Sequence, residues 1–148
     1  MKKSRVIEVL TAKLNDQLVE LKSAMDSVSE SIKGEEKSSA GDKYETSRAM
    51  NHIELDRLNK LYSNLMKNGS MLTALSNKEI DDKVRQGALV TTSKRVLFFC
   101  GGMGKVTIDG VDVLTMSMGA PIGQVFINKA KGETVNFNNT SEIIEDIQ

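Results

Sequence analysis

Gly34-Glu35-Glu36-Lys37-Ser38-Ser39-Ala40-Gly41-Asp42-Lys43-Tyr44-Glu45 decides how the first half of this chain folds. It is a short polar stretch between two long apolar-periodic runs. Before it, Ile7, Leu10, Leu14, Leu18, Leu21, Met25, Val28 and Ile32 recur every three or four residues, the seam of one amphipathic helix. After it, Leu55, Leu58, Tyr62, Leu65, Gly69 and Leu72 repeat that spacing. Helices joined by so short a connection bury both stripes by folding back antiparallel, because neither stripe can be left in water along its length. At a rise of 1.5 Å per residue, an arm of about thirty residues is roughly 45 Å long. The reading is an antiparallel coiled-coil hairpin over residues 1–76, with the 34–45 stretch at its tip.

The first helix is expected from about Ser4 to Ile32, with Gly34 stopping it in the left-handed C′ geometry. The second is expected to start near Ser39, where Ser39-Ala40-Gly41-Asp42 has the spacing of a capping box with aspartate in place of glutamate. It runs through Arg48, Met50 and Ile53 to about Leu75, crossing Asn68-Gly69 because the three-and-four spacing persists there. Glu20, Lys22, Asp26 and Glu30 form a solvated flank of mixed sign. Residues 77–85 are charged and lose the stripe, and they read as a linker.

From residue 86 to 148 the texture changes to short runs rich in Val, Ile, Phe and Thr, punctuated by glycine. Strands are expected at Ala88 to Thr92, Arg95 to Cys100, Lys105 to Ile108, Val111 to Met116, Thr134 to Phe137 and Ile143 to Ile147. Asp109-Gly110 is hairpin-turn chemistry, and Gly101-Gly102-Met103-Gly104 is a second turn. Pro121 opens a short helix to about Asn128, since proline suits the first helical position. The fold class is α+β: a helical hairpin followed by a small antiparallel β domain with one short helix.

Composition removes several functions. Twenty basic and twenty acidic residues leave no positive excess for tracking a nucleic-acid backbone. A single cysteine provides no disulfide framework and suits a reduced, cytoplasmic setting. Glu8, Lys13 and Asp16 interrupt any signal-peptide core behind Met1-Lys2-Lys3-Ser4-Arg5, and no apolar run is long enough to span a membrane. A cysteine enzyme would need Cys100 and His52 together, and they fall in different halves. The glycines at 101, 102 and 104 lack phosphate-loop spacing, and no His or Cys cluster has zinc spacing.

Asp42 and Glu45 remain, three apart at the start of a helix and so on one face of it. First-turn acids favour the positive end of the helix dipole, and that alone explains them. The functional alternative is a carboxylate pair offered to a divalent cation, for which two groups are too few unless another macromolecule completes the site.

Two stretches give the layout a family likeness. Gly41-Asp42-Lys43-Tyr44-Glu45 has the glycine and both acids of a G-D-x-x-E turn, and Ala120-Pro121-Ile122-Gly123 through Gly132-Glu133-Thr134-Val135 follows an S-P-I-G-x-x-L-x-G-x-x-x-G-D-x-V pattern. In both, and in their order, the chain resembles the Gre family of bacterial transcript cleavage factors, whose coiled-coil hairpin precedes an FKBP-like domain. The resemblance implies a cytoplasmic accessory factor, not an enzyme itself, that docks on bacterial RNA polymerase and passes its hairpin down the secondary channel. It implies that Asp42 and Glu45 act there in trans, helping to hold the polymerase's Mg²⁺ for hydrolysis of a backtracked RNA 3′ end. No cofactor of its own is expected, and a monomer is. Lys43 and Tyr44 at the tip, and Pro121, Ile122 and Gly123 in the C-terminal domain, become candidate contact residues.

The chain also departs from the family. Thr46-Ser47-Arg48-Ala49 replaces the usual Asn-Ala-Glu-Tyr after the glutamate, Lys33, Lys37 and Lys43 dilute the tip's charge, Ala120 replaces serine and Asn128 replaces glycine. A Gre-like channel regulator without cleavage activity is therefore the main alternative. From other classes come an FKBP-type prolyl isomerase or chaperone, which would need an aromatic pocket built from Phe98, Phe99, Phe126 and Phe137, and a coiled-coil oligomerisation rod.

Overall fold

The computed structural model describes residues 1–36 and 41–148, with side chains except at 35, 36 and 42–44. Helix α1 spans Lys3–Glu36 and helix α2 spans Gly41–Ser76. They pack against each other along the apolar seam. Leu14 Cδ2 lies 3.5 Å from where a Cβ on Gly69 would sit, and Leu21 and Ala24 share a groove with Leu61 and Leu65. As one partner advances in sequence the other recedes, so the helices run antiparallel.

Every position of the expected seam is buried or half-buried, with Leu14 at 5% and Leu58 at 4% exposure, whereas Met50 and Ile53 are exposed. A pair of helices covers each stripe from one side only, which is why many seam residues keep partial exposure. Gly34 does not end α1, which continues through it to Glu36. An interior glycine costs about 1 kcal/mol in a helix, which does not forbid it, and the buried Ile32 one half-turn earlier holds the segment in place. Ser39 and Ala40 of the expected capping box, and the Asp42 side chain, lie outside the described residues. Helix α2 crosses Asn68-Gly69 without a break, as the spacing predicts.

The chain divides into two compact units, Ala12–Gly69 and Met1–Thr11 with Ser70–Gln148. The first is the hairpin just described. The second joins the root of each long helix to a six-stranded sheet of β1 (Leu89–Thr92), β2 (Val96–Phe98), β3 (Lys105–Ile108), β4 (Val111–Thr115), β5 (Thr134–Phe137) and β6 (Thr140–Ile147). Helix α3, Pro121–Phe126, lies between β4 and β5 in sequence. The sheet order is β3-β4-β2-β1-β6-β5, and all pairs are antiparallel except β2 with β4.

That parallel pair follows from the glycine loop. Gly101 (φ 118) and Gly104 (φ 84) let the chain leave β2, run out to the edge as β3 and return as β4 beside β2. The Thr115 hydroxyl stitches the loop down, donating to the Gly104 carbonyl at 2.6 Å and accepting the Met103 N–H at 2.8 Å. Asp109 (φ 51) and Gly110 (φ 78) form the expected β3–β4 turn with both central residues left-handed. Asn138 (φ 47) and Asn139 (φ 60) form a second such turn, which starts β6 at Thr140, three residues before the expected Ile143.

Alternation divides the sheet's side chains between two faces. Val90, Leu97 and Ile144 join Phe99, Ile122, Phe126 and Val135 in a core on the α3 side, where the rings of Phe99 and Phe126 sit 5.6 Å apart. The opposite face carries Leu89, Phe98, Val106, Ile108 and Val113, all buried. In this unit the roots of α1 and α2 remain to cover it, with Val6, Leu10, Leu72 and Leu75 buried and Met71 against Gly101. Residues 77–85 take part as well: Val84 is fully buried, its N–H donates to the Lys129 carbonyl at 2.8 Å, and Ile80 packs on the core.

Candidate functional site

The tip begins where α2 begins. Gly41 (φ 41) opens the helix, which places positions 42 and 45 three residues apart in its first turns. Glu45 is exposed; the side chains of Asp42, Lys43 and Tyr44 lie outside the described residues. Four residues separate the end of α1 from the start of α2, so the Gly41–Glu45 motif stands at the closed end of the hairpin.

The other motif has a structural reason at nearly every position. Pro121 opens α3, with Ala120 just before it in an extended conformation. Ile122 is 7% exposed and Phe126 fully buried in the core, where Val135 meets them. A Cβ on Gly123 would lie 2.3 Å from the Ser117 carbonyl oxygen and 2.7 Å from that of Met118, so no larger residue fits without moving backbone. Asn128 (φ 60) and Gly132 (φ 87) both take left-handed conformations. Asparagine is one of the few residues besides glycine that visits this region readily, which suits it to position 128. Glu133 accepts the Ala130 N–H at 2.6 Å and pairs with Lys129 at 3.0 Å; these bonds, the Ala130 N–H first, hold its carboxyl below the ordinary range. Of the three expected contact residues here, only Pro121 is exposed. Ile122 and Gly123 instead build the corner that presents it.

A third cluster escaped the sequence reading. Glu142 on β6 has a fully buried side chain, bound by the Arg95 guanidinium through Nε at 3.1 Å to each oxygen and through Nη2, while Thr92 Oγ1 donates to Oε2 at 2.7 Å. Burial is the largest influence on the carboxyl and opposes its charge, but the bonds from Arg95 and Thr92 together outweigh it and lower the pKa. Forty-seven residues separate the pair, and no local pattern joins them. The one available signal was parity: Glu142 shares the inward register of Ile144.

The two residues weighed for enzymatic chemistry belong to different units. Cys100 is buried, and desolvation pushes its thiol up to about 12, which keeps it protonated and unreactive at neutral pH. His52 is exposed and belongs to the hairpin unit. Phe98, Phe99 and Phe126 have no exposure, so they fill core and cannot line an open aromatic pocket. No helix among the described residues is long and apolar enough to cross a membrane. Comparison with protein-family models, with curated proteins and with solved structures finds no match to this chain.

Proposed function

We propose that the chain is a Gre-like accessory factor of bacterial RNA polymerase. It enters the secondary channel by its hairpin and lends Asp42 and Glu45 to the polymerase's Mg²⁺ to promote cleavage of backtracked RNA. The observation that carries this reading is the position of Gly41–Glu45 at the closed end of an antiparallel helix pair, ahead of a β-rich unit whose α3–β5 corner keeps the second motif's geometry. The chemistry is two-metal hydrolysis in which most ligands belong to the partner, so a pair of carboxylates with no metal site of its own suffices. Pro121 offers the exposed contact of the corner, and Lys43 and Tyr44 lie between the acids in sequence.

The departures after Glu45 favour a second reading, a regulator that occupies the channel without stimulating cleavage. Thr46, Ser47 and Arg48 put a cation and two hydroxyls where the cleavage factors carry a further acid. One experiment separates the two. The protein is incubated with a purified bacterial polymerase halted on a backtracked template, and bound protein and RNA shortening are followed together. Binding with 3′-end cleavage supports the first reading, binding without it supports the second, and no binding overturns both.

A further inference from the structure

Within the unit Ala12–Gly69, one flank of the helix pair is an open groove of about 390 Å³ whose apolar lining is Leu21, Ala24, Leu61 and Leu65. We infer that this flank is a self-complementary surface on which a second copy of the chain docks, with the two hairpins parallel. The inference is independent of the polymerase reading and departs from the monomer that the family likeness implies.

Size matching is the first argument. On α2, Met50, Ile53, Arg57, Leu61 and Asn64 follow at intervals of three and four, so they share one face of the helix. Leu61 and Asn64 line the groove, which puts that face beside it. Its apolar members are large and wet: Met50 is 66%, Ile53 70% and Leu61 42% exposed. On α1 the face beside the groove is Gln17, Glu20, Ala24, Ser27 and Ser31, spaced in the same way, and from Ala24 onward it is small and exposed. The approach of Leu14 to Gly69, and of Leu21 and Ala24 to Leu61 and Leu65, sets the register of the pair. Ser31 stands level with Ile53, Ser27 with Arg57, Ala24 with Leu61 and Glu20 with Asn64. Large side chains on one helix are thus level with small ones on the other.

That pattern selects both the occupant and its symmetry. A two-fold axis along the hairpin lays α2 of each copy over α1 of the other at the same height, so Ile53 of one copy falls on Ser31 of the second and Leu61 on Ala24, each contact made twice. An axis across the hairpin would set large against large and small against small. Polarity agrees with burial: Glu54 neutralises Arg57 within its own helix at 2.7 and 2.8 Å, and the Ser27 hydroxyl donates to the Ser23 carbonyl at 3.1 Å. The Asn64 amide falls opposite Glu20 and can donate to it. Area agrees too. Residues 12–36 of α1 run about 37 Å, and two helices side by side are roughly 20 Å wide, which gives about 1,500 Å² over both copies, the size of a standard stable interface.

The test is equilibrium ultracentrifugation of the full chain, with circular dichroism confirming the helicity of each variant. The wild type is expected to reach twice the chain mass as concentration rises from micromolar to millimolar. Ile53→Glu should raise the dimer Kd at least about tenfold, since the axis repeats the loss. Val19→Glu alters a residue that is 71% exposed but sits about a third of a turn round α1 from this face, and it should leave the Kd unchanged. Ile53→Cys mixed with Ser31→Cys should cross-link between copies under oxidised glutathione, whereas Ile53→Cys alone should not; the native Cys100 is buried. A single chain mass at every concentration would overturn the inference and leave the flank to a different protein. A dimer that survives Ile53→Glu, a loss equal to it in Val19→Glu, or Ile53→Cys cross-linking to itself would overturn it as well.

Discussion

The Gly41–Glu45 stretch and the Ala120–Val135 stretch are the two motifs on which the proposed family reading rests, yet burial gives them opposite meanings. In the second, Ile122, Gly123, Phe126 and Val135 are inside, and Asn128 and Gly132 hold backbone conformations that few residues accept. That motif is a set of folding instructions, and it speaks for the corner's architecture more than for any partner. In the first, the described side chain, Glu45, is exposed, and nothing in helix formation demands an acid there beyond a favourable helix dipole. A motif that folding explains is weak evidence of function. A motif that folding does not need is where function has room.

The contrast can be broken by stability measurements. The largest effect is expected at Gly123→Ala, whose methyl group would enter the Ser117 and Met118 carbonyls; unfolding by denaturant should show a loss of about 3 kcal/mol or more. A small loss would mean that the corner is looser than its contacts imply. Next, Arg95→Met leaves Glu142 buried without its partner and should cost about 3 kcal/mol, whereas Arg95→Met with Glu142→Leu should be close to neutral. The same pair gives a pH test. Because the folded state lowers the Glu142 pKa from 4.5, its stabilising contribution is complete above the ordinary carboxylate range and is lost as pH falls through the lower, folded value. The urea midpoint of the wild type should therefore drop more steeply below pH 4.5 than that of the double variant.

Smaller effects belong to the hairpin. Gly69→Ala should stabilise by about 1 kcal/mol, because the added methyl meets Leu14 at an ordinary 3.5 Å and the helix loses its most entropically costly residue. Thermal melts report it directly, and destabilisation would mean that the two helices approach more closely here than their contacts indicate. Least of all, Asp42→Asn with Glu45→Gln should cost less than about 1 kcal/mol, the dipole contribution of acids in a first turn. A large loss at the tip would erase the contrast between the motifs.

Much of this fold was legible because its signals are local. The three-and-four spacing fixed both helices, including the passage through Gly69, and Asp109-Gly110 announced its hairpin by residue type. The misses have physical causes. Glycine is favoured at a helix stop, so Gly34 predicts an end to α1, but propensity is a weak preference beside the packing of Ile32. Asn138-Asn139 lacks the glycine that marks the commonest two-residue turns, although asparagine tolerates the left-handed region, and so β6 begins earlier than the sequence suggests. The parallel pairing of β2 with β4 and the Arg95–Glu142 pair depend on strand order, which no window of sequence contains. At the candidate site, the acids could be read from the sequence, while the roles of Ile122 and Gly123 could not, since residue type does not reveal which side of a short helix faces the core.

The central claim is that the tip acids serve a magnesium centre supplied by another protein. Its most direct test is the Mg²⁺ dependence of RNA cleavage in a halted bacterial polymerase, measured alone, with the protein, and with the Asp42→Asn/Glu45→Gln variant at saturating occupancy. The account predicts that the wild type lowers the Mg²⁺ concentration needed for half-maximal cleavage and that the variant, equally bound, does not. A wild-type curve that superimposes on that of the polymerase alone, with binding verified, would contradict it.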